Sequence, residues 1–177
     1  MKYYISILVL ISFSVNSNSQ ENMNSKKDSL QTVANVDLMR YMGTWYEIAL
    51  YPQRFEKGCE CTKAEYYMHE NFVEVRNTCI KNGKEKKVKG KAFIVPNCGN
   101  AKLRVQFFWP FKGDYWIIAL DNDYTWAVVS SPDKNYLWIL SRAPKMDSLL
   151  YQRIIGDLVK SGFNESRIIK TKHYCNN

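Results

Sequence analysis

Few side chains in this sequence could do acid–base chemistry inside a folded core. Glu47 follows Trp45 in an apolar run that ends at Tyr51-Pro52. If that run is a strand with Trp45 on its inner face, Glu47 lies on the same face, because alternate residues of a strand point to opposite sides. A carboxylate in apolar surroundings is costly unless it is paired or protonated. Glu47 is therefore expected to form hydrogen bonds with neighbouring polar groups or with a ligand. Glu47 and Tyr66 are the two candidates for a catalytic group in the pocket.

The thiols indicate disulfides and argue against a metal site. The chain has five cysteines and two histidines: Cys59, Cys61, Cys79, Cys98, Cys175, His69 and His173. The Cys59-Glu60-Cys61 sequence has no second cysteine pair to complete a zinc site. A hairpin turn near residue 69 brings Cys59 opposite Cys79, which predicts a cross-strand disulfide in an oxidising compartment. We expect no metal and no cofactor.

Signatures of enzymes and of nucleic-acid binding are absent from the sequence. There is no Gly-x-Ser-x-Gly, no phosphate-binding loop and no dinucleotide fingerprint, and both histidines lie at a turn or in the tail. The net charge of +8 would attract anionic partners. Nucleic-acid binding needs aromatic residues interleaved with the basic ones, and here the aromatic residues are expected at a rim and in a core. We expect no nucleic-acid partner.

The N-terminus resembles a secretory signal. Lys2 precedes an apolar stretch over 3–15, and small residues follow at positions that a signal peptidase prefers. The stretch is too short for a membrane span of about 20 residues. We expect a cleaved signal at 1–19, a polar leader at 20–34 and one folded domain at 35–175, exported to a periplasm or out of the cell.

The periodicity of the domain predicts an all-β fold. Eight strand-like segments are separated by short turns and lie near 44–51, 61–68, 71–79, 86–95, 101–109, 114–120, 124–130 and 135–141. This pattern is typical of an eight-stranded antiparallel up-and-down barrel or of a sandwich. After Pro144 the apolar spacing becomes helical, with Asp147 as the N-cap and Gly162 at the end. We expect this one helix to pack outside the sheet, followed by a short ninth strand at 167–172.

Strand parity suggests that the interior has room. In the fourth strand, lysines alternate with Val88, Gly90 and Ala92, and in the fifth, charged residues alternate with Leu103 and Phe107. The small residues among these face inward beside large aromatic ones. An eight-stranded barrel can hold one small ligand, although side chains from the other strands could instead fill the space.

Three motifs in the right order give the sequence a resemblance to the lipocalin family. Gly43-Thr44-Trp45 opens the first strand, Asp121-Asn122-Asp123-Tyr124 forms a turn between two later strands, and Arg142 ends the last of the eight. The resemblance covers about 36–172. It is strongest to the branch that contains apolipoprotein D and the bacterial outer-membrane lipocalins, but the lipid-anchor cysteine of the bacterial proteins has no counterpart near residue 19.

The resemblance implies a barrel with a closed floor and a hollow interior. At the floor, Arg142 is expected to stack on the Trp45 indole beside Gly43, with a structural and not a catalytic role. The family pattern also implies a disulfide between Cys61 and Cys175, which leaves Cys98 free. The missing anchor cysteine implies an exported protein without a lipid anchor.

Counting alternate residues from the two floor residues gives the expected ligand contacts. Trp45 would place Glu47 and Ala49 inside, and Arg142 would place Leu140 and Trp138 inside. The full set of predicted ligand-binding residues is Trp138, Tyr66, Glu47, Ala49, Leu103, Phe107, Leu140 and Ala92. Of these, Trp138 is the strongest candidate for contact with a ligand.

Loops at the end opposite Trp45 form the expected mouth. The predicted mouth residues, which could also face a membrane, are Lys81, Lys84, Lys86, Lys87, Trp109 and Phe111. Cations around an aromatic rim suit an anionic head group or transient contact with an anionic membrane. The alternative is a solvated hairpin tip that only resists aggregation.

These observations predict a carrier and not an enzyme. The resemblance implies binding and transport or storage of a small hydrophobic ligand of the fatty acid or lysophospholipid type, with membrane maintenance as one use. One alternative is an isomerase or de-epoxidase that uses the same pocket. The other is a barrel that binds a pigment or a protein.

Overall fold

The structure, a computed structural model, describes residues 30–175, so the predicted signal at 1–19 and most of the predicted leader lie outside the described residues. The strands are β1 Gly43–Leu50, β2 Cys59–Met68, β3 Val73–Lys81, β4 Lys84–Ile94, β5 Lys102–Gln106, β6 Gly113–Leu120, β7 Trp126–Ser130, β8 Leu137–Ser141 and β9 Ile169–Lys170. The helices are α1 Leu38–Tyr41 and α2 Ser148–Lys160, with a 3-10 turn at Glu165–Arg167.

The eight long strands form a closed antiparallel barrel, as predicted. Each pairs with its sequence neighbour, and β1 closes the ring by pairing with both β2 and β8. Local sequence explains the tight connections. Asn82 and Gly83 both have positive φ, at 53° and 69°, which is what the two-residue turn between β3 and β4 requires.

Helix α2 covers one outer wall of the barrel. The Asp147 carboxylate accepts a hydrogen bond from the Leu150 N–H at 2.9 Å and so caps the helix. Its buried residues, Tyr151, Ile154, Ile155 and Leu158, pack with the outward side chains of β1, β7 and β8. β9 pairs with the end of β1, so the predicted helix and ninth strand are both present.

The closed end of the barrel is covered by the segment that precedes β1. Leu30 and Val33, from the predicted leader, pack against the barrel, and the Val33 N–H donates to the Ile117 carbonyl at 3.0 Å. Asp37 caps α1 through its side chain, and Tyr41 is buried in the barrel core. Residues 30–33 therefore pack with the barrel.

Both disulfides expected from the sequence are present. They join Cys59 to Cys79 and Cys61 to Cys175. The second bridge ties the C-terminal segment to the start of β2, where the Cys61 N–H also donates to the Lys172 carbonyl at 2.7 Å. Cys98, the fifth cysteine, has no disulfide partner.

Candidate ligand-binding site

The floor of the barrel is built around the Arg142 guanidinium. This group lies 3.8 Å from the centroid of the Trp45 ring and donates to the carbonyls of Thr44 at 2.9 Å and Arg40 at 2.7 Å. A third bond, at 3.2 Å, reaches the Tyr124 carbonyl. Each of the three guanidinium nitrogens donates to a backbone carbonyl, so the cation fixes β1, α1 and the turn before β7 relative to one another.

Gly43, beside Arg142, has a backbone conformation that favours glycine. Its φ of +89° is a conformation that side chains rarely adopt, and a Cβ there would lie 3.5 Å from the Arg142 Nη1. The Tyr124 hydroxyl accepts a hydrogen bond from the Asp37 N–H at 2.8 Å. The three motifs of the sequence therefore meet at one end of the barrel.

Three tyrosine hydroxyls cross the interior next to the floor. The Tyr115 hydroxyl is 2.9 Å from that of Tyr41 and 3.0 Å from that of Tyr66. Burial raises the pKa of Tyr66 to about 12, and it also raises the pKa values of Tyr41 and Tyr115 well above their usual range. These hydroxyls stay protonated and act as hydrogen-bonding groups.

The interior is tightly packed beside this trio. A cavity of about 10 Å³ lies there, lined in part by Tyr66, Ala92 and Leu103, and such a volume holds about one water. Three of the residues predicted to touch a ligand therefore lie in a closed, packed half of the barrel.

Side chains on the inner face become more exposed toward the other end. Along β4, Ala92 is 2% exposed, whereas Val88, on the same inner face, is 36% exposed. Phe107 and Trp138 are half-buried there. We call this open half of the interior the chamber; its walls are the inner faces of Val88, Gly90, Phe107 and Trp138.

Gly90 gives the Phe107 ring its place on the chamber wall. A Cβ at residue 90 would lie 2.7 Å from the Phe107 Cδ1 and 2.8 Å from the Gln106 carbonyl oxygen. Both approaches are closer than carbon atoms tolerate. The small residue in β4 thus accommodates an aromatic ring and does not simply enlarge the cavity.

Two carboxylates lie at the chamber. The Glu56 oxygens lie 3.3 and 3.4 Å from the Trp138 Nε1, which donates to them, and Glu47 accepts from the Thr171 hydroxyl at 2.6 Å. Burial is the main cause that raises the pKa of Glu47 to about 7, and burial together with the Glu47 charge raises the pKa of Glu56 to about 8. Glu47 therefore forms a hydrogen bond with the C-terminal segment.

Ala49 does not face the interior, contrary to the sequence prediction. A bulge in β1 shifts the pairing from Glu47 with Leu140 to Ala49 with Ile139. Ile139 and Ala49 both pack on the α2 side of the wall, whereas Leu140 is in the barrel core. The extra residue reverses the parity, so Leu50, which pairs with Trp138, takes the inward place.

The mouth carries the predicted cations and aromatic rings, with one correction. Trp109 and Phe111 are 86% and 77% exposed. In the β3–β4 hairpin, Lys84 pairs with Lys81 and Lys86 with Cys79, so these three lysines share the inner face. Lys87 lies on the outer face, where it forms an ion pair with Glu85 at 2.7 Å.

Comparison with known proteins identifies the family. The model of the lipocalin-like domain matches residues 36–173. The chain belongs to the lipocalin family. Members of this family bind small hydrophobic ligands.

Relatives of this lipocalin occur in bacteria, plants and animals. The outer membrane lipoprotein Blc of Citrobacter freundii is 39% identical over 143 residues, which cover 79% of this chain and 81% of that protein. Temperature-induced lipocalin-1 of Arabidopsis thaliana is 35% identical, covering 83% and 84% of the two chains. Apolipoprotein D of Mus musculus is 35% identical, covering 77% of each chain.

Solved lipocalin structures share the fold at lower identity. Insecticyanin from the tobacco hornworm Manduca sexta superposes with a TM-score of 0.66 at 23% identity, covering 81% of this chain and 84% of that one. Lobster apocrustacyanin A1 gives 0.64 at 19% identity, covering 77% and 79%. No helix within residues 30–175 is long and apolar enough to span a bilayer.

Sequence reasoning missed several residues of this lipocalin's site. Glu56 lies in the loop after β1, where strand parity assigns no direction. Thr171 meets Glu47 only because β9 returns to β1. Tyr115 could have been found, since alternation along β6 places it on the face of Ile117, which lies in the barrel core.

Proposed function

We propose that this lipocalin binds a small hydrophobic ligand of the fatty acid or lysophospholipid type in the chamber, and transports or stores it for use in membrane maintenance. The observation that carries the proposal is the change in exposure along the inner face. Apolar side chains near the floor are buried, whereas those at the open end, including Val88, are accessible without facing outward. Such concave apolar sites with few polar groups are typical of small-molecule binding.

Trp138 is the proposed principal ligand contact. It lies on the inner face opposite Leu50, with its indole N–H on Glu56. Trp138→Ala removes a large aromatic surface and is expected to weaken binding of monolaurin, a neutral probe, by about tenfold or more. Trp116→Ala is the matched control, since Trp116 contacts Lys102 at 3.9 Å on the outer face and its loss should leave affinity unchanged.

The direct test of the carrier is to identify what it holds. The protein is purified without detergent, extracted with organic solvent and analysed by mass spectrometry, and monolaurin binding is measured by calorimetry. A copurified acyl lipid close to one per protein and saturable monolaurin binding are expected. A protein that yields no lipid and binds no monolaurin would reject the proposal.

The mouth is proposed to contact an anionic membrane during loading or release. Exposed Trp109 and Phe111 supply apolar insertion, and Lys81, Lys84 and Lys86 supply about 1 kcal/mol each near an anionic surface. In co-sedimentation, vesicles with phosphatidylserine should bind more protein than neutral vesicles. The Lys→Gln triple variant at 81, 84 and 86 should lose that preference, whereas Lys87→Gln on the outer face should keep it. Equal binding to both vesicle types would contradict this contact.

One observation favours an enzyme as the second candidate. The raised pKa of Glu47 is what a general acid or base in a pocket requires. An isomerase or de-epoxidase would return a changed ligand, whereas a carrier returns it intact. Recovery of unaltered unsaturated or epoxidised fatty acids after long incubation is expected.

The protein is proposed to act after export. Two disulfides are typical of oxidising compartments. N-terminal sequencing of the mature protein from its native source is expected to start near residue 20. A mature protein that retains Met1 would contradict export through a cleaved signal.

A further inference from the structure

The chamber contains two carboxylates that form no ion pair with any cation within the described part of the chain. Glu47 is 5% exposed and Glu56 is half-buried. Neither takes part in any of the ion pairs formed within residues 30–175. The partners of Glu56 and Glu47 are neutral: the Trp138 N–H and the Thr171 hydroxyl.

A buried hydroxyl beside them also lacks a partner. Thr62 is more than nine-tenths buried, and it lies near enough to Glu47 to favour the ionised form of that carboxylate. Its Oγ1 makes no contact within residues 30–175 that meets hydrogen-bonding geometry. Native proteins rarely leave such groups unpaired, so the hydroxyl is available to a polar group of a ligand.

Buried carboxylates can be stabilised in only a few ways. They take up a proton, meet a cation of the protein, or meet a cation from outside. Burial favours protonation of both acids near neutral pH and raises both pKa values, and the charge of Glu47 adds to this effect at Glu56. A cation that binds here would displace the protons of Glu47 and Glu56. It would then be attracted by two carboxylates whose charges are weakly screened, because they are buried.

The Trp138 ring beside the acids favours an ammonium group over a metal ion. Trp138 is stacked on Tyr136 at a centroid distance of 5.8 Å, and its edge bonds Glu56. Ammonium groups are favoured on aromatic faces, especially that of Trp, where they also shed water readily when alkylated. A bare metal ion would need several oxygen ligands at fixed distances, which two carboxylates on separate elements do not supply.

We propose that Glu47, Glu56 and Trp138 form a binding site for the ammonium group of a cationic or zwitterionic amphiphile whose hydrocarbon chain occupies the chamber. The inference rests on the proposed carrier function and sharpens it. A lysophospholipid with an amine or choline head group carries such a nitrogen, and a fatty acid does not. The site would therefore select between the two ligand classes that the carrier proposal leaves open.

Other ionisable groups face this site from neighbouring elements. The His173 ring nitrogen lies 2.7 Å from the Glu47 backbone carbonyl oxygen. On the β3–β4 hairpin, Lys81, Lys84 and Lys86 share the inner face. We therefore compare the pH dependence of binding of the protein with that of its glutamine variants. His173 and the lysines are unchanged in those variants, so the difference reports on Glu47 and Glu56.

The test compares three probes of equal chain length. Dodecyltrimethylammonium, monolaurin and laurate carry positive, neutral and negative heads, and calorimetry measures each dissociation constant at pH 6 and pH 8.5, below the critical micelle concentrations. At pH 8.5 the cationic probe should bind about tenfold more tightly than monolaurin, because its charge pairs with the buried carboxylates. Laurate should bind more weakly than monolaurin. At pH 6 that preference should shrink, because protons compete with the cation.

Glu56→Gln is the main variant, since Glu56 lies in a loop and its change preserves shape. It should weaken binding of the cationic probe about tenfold at pH 8.5 and strengthen binding of laurate, and any change in monolaurin affinity should be much smaller than either. Glu47→Gln should act in the same direction. Glu85→Gln is the matched control, because it removes a carboxylate from the same end of the barrel on the outer face, and it should change none of the three affinities.

The outcomes separate this inference from the carrier function. If monolaurin binds but the cationic probe shows no preference, or Glu56→Gln leaves the preference intact, the ammonium site is overturned and the carrier stands. If none of the three probes binds, the inference fails together with the proposed function. Proton release on binding of the cationic probe alone, detected in buffers of different ionisation enthalpy, would support the site independently.

Discussion

The two halves of the barrel interior treat polar groups in opposite ways. In the floor half, Arg142 donates hydrogen bonds to three backbone carbonyls, and the Tyr115 hydroxyl forms hydrogen bonds with two other hydroxyls. In the chamber, Glu47 and Glu56 have no cation and Thr62 has no partner within the described residues. The polar groups of the floor half are paired within the protein, whereas we propose that a ligand pairs with those of the chamber.

This difference assigns stability and binding to separate regions. A satisfied, close-packed floor stabilises the fold and holds the strands in register. A half-exposed wall with unpaired polar groups costs stability but provides recognition. Variants in the floor half should therefore change the free energy of unfolding without changing affinity, and variants in the chamber should change affinity.

Arg142→Ala is the strongest test of the floor. The variant loses the cation–π contact with Trp45 and three hydrogen bonds, so the free energy of unfolding should fall by about 3 kcal/mol. Urea denaturation measures the change. Arg104→Ala, at an exposed ion pair with Asp114, is the control and should cost about 0.5 kcal/mol or less. An unchanged midpoint for Arg142→Ala would refute the role of the floor.

Gly90→Ala should disturb the chamber itself. The new methyl group collides with the Phe107 ring and the Gln106 carbonyl, which should cost about 2 kcal/mol as overpacking and lower monolaurin affinity as the ring shifts. Gly156→Ala in α2 is the matched control, because nothing lies within 4 Å of its Cβ, and it should be neutral or stabilising. Loss of stability without loss of affinity would show that Phe107 is not a ligand contact.

Tyr115→Phe should weaken the floor half alone. It removes the partner of the Tyr41 and Tyr66 hydroxyls, and leaving buried hydroxyls unpaired costs about 1–2 kcal/mol. Tyr136→Phe, which loses a more exposed hydroxyl, should change nothing. A clear change in the monolaurin affinity of Tyr115→Phe would show that the three tyrosines belong to the binding site. Stability and binding would then not be assigned to separate halves of the barrel.

The chamber acids should also make the stability of the protein depend on pH. Their raised pKa values mean that the native state keeps protons that the unfolded chain has already released. The free energy of unfolding should therefore fall as pH rises from about 4.5 to about 8. The Glu47→Gln, Glu56→Gln double variant should lose this part of the fall. Identical pH profiles for the two proteins would show that the acids are not desolvated.

Much of the fold follows from sequence because its signals are local. Turn chemistry at Asn82-Gly83, the Asp147 cap and the helical spacing after Pro144 each act within a few residues, and the elements they predict are all present. The end of β5 was placed too late, at residue 109, because Trp109 favours strands by propensity although its side chain is fully exposed at the mouth.

The site was less predictable because its residues depend on departures from regularity. A single bulge in β1 turned Ala49 outward, and no feature of the local sequence marks it. Glu56 reaches Trp138 from a loop, 82 residues away in the chain. Alternation along a strand predicts the direction of a side chain only where the strand is regular. The proposed binding site includes a loop residue and lies next to a bulge, where this rule does not apply.

A crystal structure with bound monolaurin would show whether a ligand lies inside the open half of the barrel. We expect the acyl chain within the chamber, in contact with Phe107 and Trp138, with the side chains of Tyr41, Tyr66 and Tyr115 unchanged beneath it. An acyl chain bound only on the outer wall, with the chamber filled by the protein's own side chains, would rule out binding in the chamber.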